Sequence, residues 1–397
     1  MQYRVDPKSG NRLSVLGFGC MRFPRTLGRI DLGKTEQLIV KAVEGGVNYF
    51  DTAYLYSGSE ETLGTILHKN GLRDKIYLAT KLPHAKCTSY EDFDTIFAGQ
   101  LEKLQTDHID YYLIHNLSDP HVWEHLCSLG IEKWIAEKKS QGAIRQLGFS
   151  FHGKQADFMA LLEAYGWDFC QIQHNYVNIN YQAGREGLLK AHQMGLPVVV
   201  MEPLLGGKLA TGLPKAAVRL FAEADKDRTP AAWGFRWLWN QEAVTVVLSG
   251  MNDDAQLSDN LHTAEDAVPG MVTDAERKVY AEVLAAFNES YKVPCTGCNY
   301  CMPCPNNVNI PGCFAAYNMS YAVGMISAIS QYVTSTGSFS PQVDYSPRQC
   351  TKCGICETKC PQHIAIPSEL ENVVKRMEPF WFRAVKSVMS RQRAKKA

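Results

Sequence analysis

From Leu16 to Gly250 the chain alternates short apolar, β-rich runs with longer stretches whose apolar residues recur every three to four positions. Strands buried on both faces read as near-continuous hydrophobic strings. Alternation of such strings with helix-period segments marks parallel strands joined by crossover helices. Eight runs stand out: Val15–Cys20, Val47–Asp51, Lys75–Lys81, Ile109–His115, Ile144–Ser150, Asp168–Gln173, Pro197–Glu202 and Val244–Ser249. Right-handed crossovers allow an open doubly wound sheet or a closed barrel. Eight strand–helix units in roughly 250 residues fit the barrel. An open dinucleotide-binding sheet would carry three spaced glycines after its first strand, and Gly17-Phe18-Gly19 supplies only two. The pattern predicts an α/β fold, an eight-stranded parallel (β/α)8 barrel of the TIM type.

Beyond the barrel the pattern changes. Asn306 to Val343 carries no charge, and Cys313 to Val333 is rich in apolar residues. Asn318, Ser320, Gly324, Ser327, Ser330 and Gln331 dilute it below what a membrane span of roughly 20 residues requires, so the expectation is a buried helix and no integral membrane segment. Composition sharpens the division. Of 13 cysteines, four (Cys20, Cys87, Cys127, Cys170) precede residue 295 and nine lie between Cys295 and Cys360.

The 397 residues are 45% hydrophobic and 21% charged, ordinary for a globular protein and too apolar for a disordered one. Lys plus Arg and Asp plus Glu are 41 each, so no global field favours nucleic acid or an anionic membrane. The start, Met1-Gln-Tyr-Arg-Val-Asp6, lacks the apolar segment of a secretion signal, and the expected location is cytoplasmic. Lys375 to Ala397 holds eight Lys or Arg against Glu378, interleaved with Phe380, Trp381 and Phe382. A helix packing those aromatics on the cysteine-rich region is the simplest reading; a membrane surface or an acidic partner are the others.

Polar residues end several predicted strands: Asp51, Lys81, His115 and, within the sixth, Gln171. Any one alone reads as a cap. Together they occupy the C-terminal rim, where barrel enzymes gather catalytic groups from different strands. Phe50-Asp51-Thr-Ala-Tyr-Leu-Tyr56-Ser-Gly-Ser-Glu60, with Thr80-Lys81 and Leu113-Ile-His115, resembles the aldo-keto reductase family across residues 12 to 265. The resemblance implies a catalytic tetrad of Asp51, Tyr56, Lys81 and His115, with Tyr56 rather than Tyr54 as the acid because it lies five residues after the aspartate. The residue types suit carbonyl reduction, which needs a hydride on one side and a proton for the developing alkoxide on the other. An ammonium at Lys81 would stabilise the Tyr56 phenolate, Asp51 would hold the lysine, and His115 would orient the carbonyl. Histidine at 115, where the family's steroid double-bond reductases carry glutamate, points to carbonyl substrates.

The same resemblance implies nicotinamide contacts from Ser150, Gln171 and Met201, although Phe151 stands where an asparagine usually follows the serine and Met201 where an aromatic ring is usual. The segment Leu248 to Asn260, including Gly250, Gln256 and Asn260, matches the family's adenosine-phosphate loop. Gln256 replaces a basic residue that often pairs with a 2'-phosphate, and Asp253 and Asp254 add negative charge. The loop therefore leans towards NADH and leaves NADPH open. A plain helix start capped by Asp253 is compatible with either cofactor.

Cys295-Thr-Gly-Cys298-Asn-Tyr-Cys301-Met-Pro-Cys304-Pro and Cys350-Thr-Lys-Cys353-Gly-Ile-Cys356-Glu-Thr-Lys-Cys360-Pro form two quartets, the second with bacterial ferredoxin spacing. Both continue alike, Cys304-Pro-Asn-Asn-Val-Asn-Ile-Pro and Cys360-Pro-Gln-His-Ile-Ala-Ile-Pro, an internal repeat that resembles a two-cluster ferredoxin module. That resemblance implies two 4Fe-4S clusters with crossed last ligands: Cys295, Cys298, Cys301 and Cys360 on one, and Cys350, Cys353, Cys356 and Cys304 on the other. The first run is one residue shorter before its last cysteine, so Cys304 is the ligand the spacing supports least. Disulfides suit an intracellular chain poorly, and zinc held by two Cys-x-x-Cys pairs would leave four of the eight thiolates without a task.

The expected organisation is a barrel over 1–288, a ferredoxin-like domain over 289–375 and a basic tail over 376–397. The expected function is hydride transfer between a nicotinamide and a small carbonyl or alcohol, with the clusters structural or exchanging electrons with a redox protein. The alternative is an electron-transfer subunit whose barrel docks a redox partner. A hydride carries two electrons and a cluster accepts one, and no convincing flavin motif bridges the two.

Overall fold

The computed structural model describes residues 1–322, 324–338 and 344–382. Eight parallel strands close a barrel in chain order: β1 (Leu16–Gly19), β2 (Tyr49–Asp51), β3 (Tyr77–Leu82), β4 (Ile109–Ile114), β5 (Ile144–Phe151), β6 (Phe169–Gln173), β7 (Val198–Met201) and β8 (Val246–Ser249). Each lies within two residues of an expected run at its start and end. Around them run helices that include α1 (Leu32–Glu44), α2 (Ser59–Lys69) and α3 (Tyr90–Leu104).

The barrel interior explains how the strand ends acquire chemistry. Tyr49, Ala79, Tyr111, Leu113, Phe169, Val199 and Leu248 belong to one buried cluster inside it. Side chains alternate faces along a strand, so positions two residues onward point the same way. Those positions are Asp51, Lys81, His115, Gln171, Met201 and Gly250. The apolar filling thus gives way to a polar layer at one end. Two glycines make the filling fit. A Cβ at Gly17 would stand 2.8 Å from the Leu248 side chain, and one at Gly148 would stand 2.5 Å from the Phe169 carbonyl oxygen.

The opposite end is closed by a feature the hydrophobic pattern does not announce, an antiparallel hairpin of Tyr3–Val5 with Arg12–Ser14. Its buried Asp6 accepts a 2.8 Å hydrogen bond from the Tyr111 hydroxyl. The Arg4 guanidinium donates to the carbonyls of Trp239, Gln241 and Val244. Three-residue strands carry too few positions to show a period.

The described chain separates into two compact units: Met1–Pro203 with Ala231–Thr273, and Leu204–Pro230 with the residues from Asp274 onward. The second therefore takes an insertion from between β7 and β8. Within it α4 (Lys215–Ala224) meets α6 (Asp274–Ser290), with the Phe221 and Tyr280 rings 6.1 Å apart and Arg228 2.6 Å from Glu276. The first unit also holds α5 (Asp254–Thr263).

The single buried helix expected over Cys313–Val333 is instead two, α7 (Ile310–Ala322) and α8 (Met325–Thr336). Gly324, at φ +126°, takes a conformation closed to residues with a Cβ and starts the second helix. Only one face of α8 is buried, at Ala328, Tyr332 and Thr336, while Ile326 is 90% exposed. The core of this unit is completed by α9 (Ile366–Met377), through Leu370, Val373 and Met377. Of the three tail aromatics, Phe382 is buried with its ring 5.9 Å from that of Tyr332, whereas Phe380 and Trp381 are exposed. The rest of the basic tail, 383–397, lies outside the described residues. Among the described residues no helix is long and apolar enough to cross a membrane.

Candidate active site and cysteine cavities

Lys81 is 1% exposed and Asp51 2%. Two charges so far from water persist only when each is paired and hydrogen-bonded. The Lys81 ammonium donates to Asp51 Oδ1 at 2.7 Å and to the Thr52 carbonyl at 2.6 Å. It stands 5.2 Å from the centroid of the Tyr56 ring. Tyr56, on the loop between β2 and α2, meets the His115 ring edge-on at 6.0 Å. The four tetrad candidates therefore converge. Tyr54 turns elsewhere, with Lys103 4.9 Å and Lys86 5.9 Å from its ring.

Burial is the largest influence on the Asp51 carboxyl and pushes its pKa up, against the pull of Lys81 and of the Gln171 amide. His115 is held far below the ordinary histidine range, first by burial and then by the Lys81 charge, His152 and His84. The imidazole is neutral at physiological pH. His84 and His152 went unnoticed in the sequence, although each follows a barrel strand by one or two residues, and that placement was the available signal.

Four further candidates line the same end. Gln171 pairs in register with Ser150, whose Oγ accepts from the Asn116 amide at 2.8 Å. Met201 closes β7 and is partly buried against the interior cluster. Gly250 lies against the stem of Arg22, whose Cδ would be 3.4 Å from a Cβ there. From α5, which follows β8, Asn260 donates to Ser249 Oγ at 2.9 Å. Gln256 folds back onto its own turn, donating from Nε2 to Asp253 Oδ2 at 2.6 Å and to Asn252 Oδ1 at 3.0 Å. Asp253 also caps α5, and Asp254 is paired with Lys41 of α1.

Three buried polar atoms here lack a hydrogen-bond partner among the described residues: Asp51 Oδ2, Gln171 Oε1 and His115 Nδ1. Buried polar atoms are nearly always satisfied. An amide-bearing ring and a carbonyl compound are guests that would satisfy the last two, so the site fits a nicotinamide beside a carbonyl.

In the second unit the eight quartet cysteines surround two cavities. Cys295, Cys298, Cys301 and Cys360 line one. Cys304, Cys350, Cys353 and Cys356 line the other. The grouping crosses the two runs, and the shorter first run still delivers Cys304. The internal repeat is also a repeat of backbone. Left-handed φ recurs at matching positions: Gly297 and Lys352, Asn299 and Gly354, Asn307 and His363. The amides of Asn307 and His363 each return to the carbonyl of the run's last cysteine at 3.0 Å. Ile310 and Ile366, six residues after those cysteines, begin α7 and α9.

All 13 cysteines are free thiols. Among the described residues no three His, Cys, Asp or Glu approach closely enough to hold a single ion. Eight soft donors standing back around two cavities fit clusters and leave a zinc ion without a four-point cage. Burial pushes the Cys295 and Cys356 thiols up to about 11 and Cys301 up to about 12. Thiolates there require the positive charge of a bound metal. The buried Cys313 lies among the α7 apolar residues.

Residues 15–271 match the profile of the aldo/keto reductase family, and residues 294–366 match that of a 4Fe-4S dicluster domain. An aldo-keto reductase of Mycolicibacterium vanbaalenii is 30% identical over 258 residues, 63% of this chain and 82% of that protein. A methylglyoxal reductase of Escherichia coli is 32% identical over 190 residues, 47% of this chain and 63% of that protein. Among solved structures, the holo form of an aldo-keto reductase from Bacillus halodurans superposes with a TM-score of 0.58 at 25% identity, covering 71% of this chain and 96% of that one. One from Klebsiella pneumoniae in complex with NADPH gives 0.58 at 21% identity over 70% of this chain and 95% of that one, a likeness of fold alone.

Proposed function

Because the chain belongs to the aldo/keto reductase family over residues 15–271 and carries a 4Fe-4S dicluster domain over residues 294–366, we propose that it reduces small carbonyl compounds, or oxidises the matching alcohols, with a nicotinamide cofactor. The observation that carries the reading is the Lys81 ammonium, buried and tied to Asp51 at 2.7 Å while lying 5.2 Å from the Tyr56 ring. In this reading Tyr56 donates its hydroxyl proton to the developing alkoxide, and Lys81 stabilises the phenolate that remains. Asp51 keeps the ammonium in place. His115, neutral, donates a hydrogen bond to the carbonyl oxygen without competing as an acid. Gln171 and Ser150 would hold the carboxamide, Met201 would pack on the ring, and Gly250, Gln256 and Asn260 would receive the adenosine phosphate. A reduced nicotinamide, when bound, supplies the hydride.

NADH is the favoured cofactor. Gln256 is engaged by Asp253 and cannot pair ionically with a 2'-phosphate, although Lys41 offsets the charge of Asp254. NADPH tighter than NADH by more than about tenfold, roughly 1.4 kcal/mol, would overturn that preference. We assign the two clusters to the crossed cysteine sets, where they would supply one-electron chemistry.

The test is anaerobic assay of the full chain against ketones and aldehydes, methylglyoxal among them, beside Tyr56→Phe. The substitution keeps the ring and removes the proton, so turnover should fall by about a hundredfold or more while nicotinamide binding holds. Parent-level reduction by Tyr56→Phe, with activity lost in cysteine variants, would favour an electron-transfer subunit instead.

A further inference from the structure

A second buried carboxylate lies behind the strand that carries Lys81. Glu60, in the first turn of α2, is 3% exposed and, among the described residues, makes no salt bridge within 4 Å. On β3, Ala79 and Lys81 face the barrel interior, so Thr80 between them faces the helices. Thr80 Oγ1 donates to Glu60 Oε1 at 2.6 Å, and Gln100 Nε2, from α3, donates to the same oxygen at 2.7 Å. The Gln100 amide also reaches the Lys81 carbonyl at 3.1 Å, and its oxygen accepts from the Tyr112 hydroxyl at 2.7 Å. These four side chains form one closed network around the backbone of Lys81.

The neighbouring residue of the same helix turn grips the other end of that lysine. Ser59 Oγ lies 2.8 Å from Thr52 Oγ1 and donates to the Cys20 carbonyl at 2.9 Å, and the Thr52 carbonyl receives the Lys81 ammonium. The Ser59 amide also bonds the Tyr56 carbonyl at 2.9 Å. One helical turn therefore braces Tyr56, the head of Lys81 and the backbone of Lys81.

We propose that Glu60 is a positioning residue for the Lys81–Tyr56 pair: its buried carboxylate, held by Thr80 and Gln100, fixes β3 at Lys81 and adds a second negative charge that retains the ammonium beneath the phenol. Both hydrogen bonds at Oε1 are donated to it, as an ionised carboxylate accepts them. Burial raises its pKa, while Thr80, Gln100, Lys103 and Lys81 oppose that rise. The charged or titratable groups that meet Tyr56 include Lys81 and His115, with Asp51 behind the first and His84 and His152 behind the second. Around Glu60 they include Lys81, Lys103 and Tyr112. The role of Glu60 in proton delivery rests on the carbonyl-reductase reading.

The test reads Tyr56 directly and needs no turnover. 3-Fluorotyrosine placed at position 56 alone in the full, cluster-loaded chain is titrated by fluorine NMR. Glu60→Gln keeps the shape and the acceptor oxygen but removes the charge. Freed from that hold, the ammonium withdraws from the phenol and the phenolate loses its counter-charge, so the Tyr56 midpoint should rise by about half a pH unit or more. The alkaline limb of kcat against pH should move with it. If Glu60→Gln does not fold, Glu60→Asp, which shortens the side chain by one methylene, should raise the midpoint by less. An unchanged midpoint in the folded variant, or a fall of the kind that removal of a like charge alone would give, overturns the proposal. A raised midpoint in a protein that reduces no carbonyl would uphold the electrostatic coupling and reject the reductase reading.

Discussion

The two chemical regions of this chain solve opposite problems of burial. At the barrel rim the buried charges answer one another: Lys81 has Asp51 and the Thr52 carbonyl, and Glu60 has Thr80 and Gln100. That site holds its charges as polypeptide alone and, among the described residues, leaves Asp51 Oδ2, Gln171 Oε1 and His115 Nδ1 without a hydrogen-bond partner. The cysteine cavities are incomplete as polypeptide. Their thiols ring two cavities that no side chain fills, and burial disfavours the thiolates of Cys295, Cys301 and Cys356. One region is preorganised before its cofactor arrives. The other acquires its central packing from the cofactor, so the two should part company when the cofactor is withheld.

The largest separation should come from iron. Anaerobically prepared protein should carry about eight iron and eight sulfide, by the two-cluster ligation rule. Stripping them should remove hydrogen-exchange protection from α7 and α9 while the amides of β2, β3 and β4 stay protected, because metal-binding free energy is folding free energy where no site preforms. Retained protection in α7 and α9 would mean that their apolar core suffices alone. Cys304→Ala sharpens the same point: iron should fall to about half, since Cys304 lies in one cavity only. Full iron content would show that another ligand takes its place.

The contrast also explains what sequence could and could not announce. Strands buried on both faces make apolar strings, and their polar ends stood out against them; hence the barrel and the convergence of Asp51, Lys81 and His115 were readable. The cysteine repeat was readable because ligand spacing is local. What escaped was non-local or short. The three-residue strands at Tyr3 and Arg12 show no period, and an amphipathic helix such as Lys215–Ala224 looks the same whichever unit it packs against. A charge-free helical run does not reveal that Gly324 will break it. Glu60 stood in the quoted motif without a role, because its partner Gln100 lies forty residues away and only the fold joins them.

A smaller separation follows from Lys81. Replacing it with Met strands Asp51, 2% exposed, without its counter-charge, and breaking a buried pair from one side costs about 3–5 kcal/mol. The urea midpoint of the barrel should fall accordingly, with iron content unchanged. Adding Asp51→Asn should restore part of the loss, because an uncharged pair has no stranded charge to desolvate. A single variant as stable as the parent would show that water reaches Asp51 and that the rim is less preorganised than its geometry implies.

The smallest effect is a difference in acid sensitivity. Ten of the 11 histidines precede residue 274, and His363 is the one that follows. Burial holds His115 well below its ordinary 6.5, holds His84 lower than usual and brings His174 to about 4. The unfolded chain therefore takes up protons at these groups that the folded barrel refuses. Their contribution to stability is fully present above about pH 6.5 and is lost as pH falls towards their folded values. Asp51 and Glu60 shift the other way, since their raised folded pKa values make the folded state the better proton acceptor at lower pH. Comparing the parent with His115→Gln cancels those terms. Between pH 6 and pH 5 the variant's barrel should lose less stability than the parent's in urea titrations. Equal slopes would mean that His115 takes a proton inside the folded barrel, which would deprive the carbonyl site of its neutral hydrogen-bond donor.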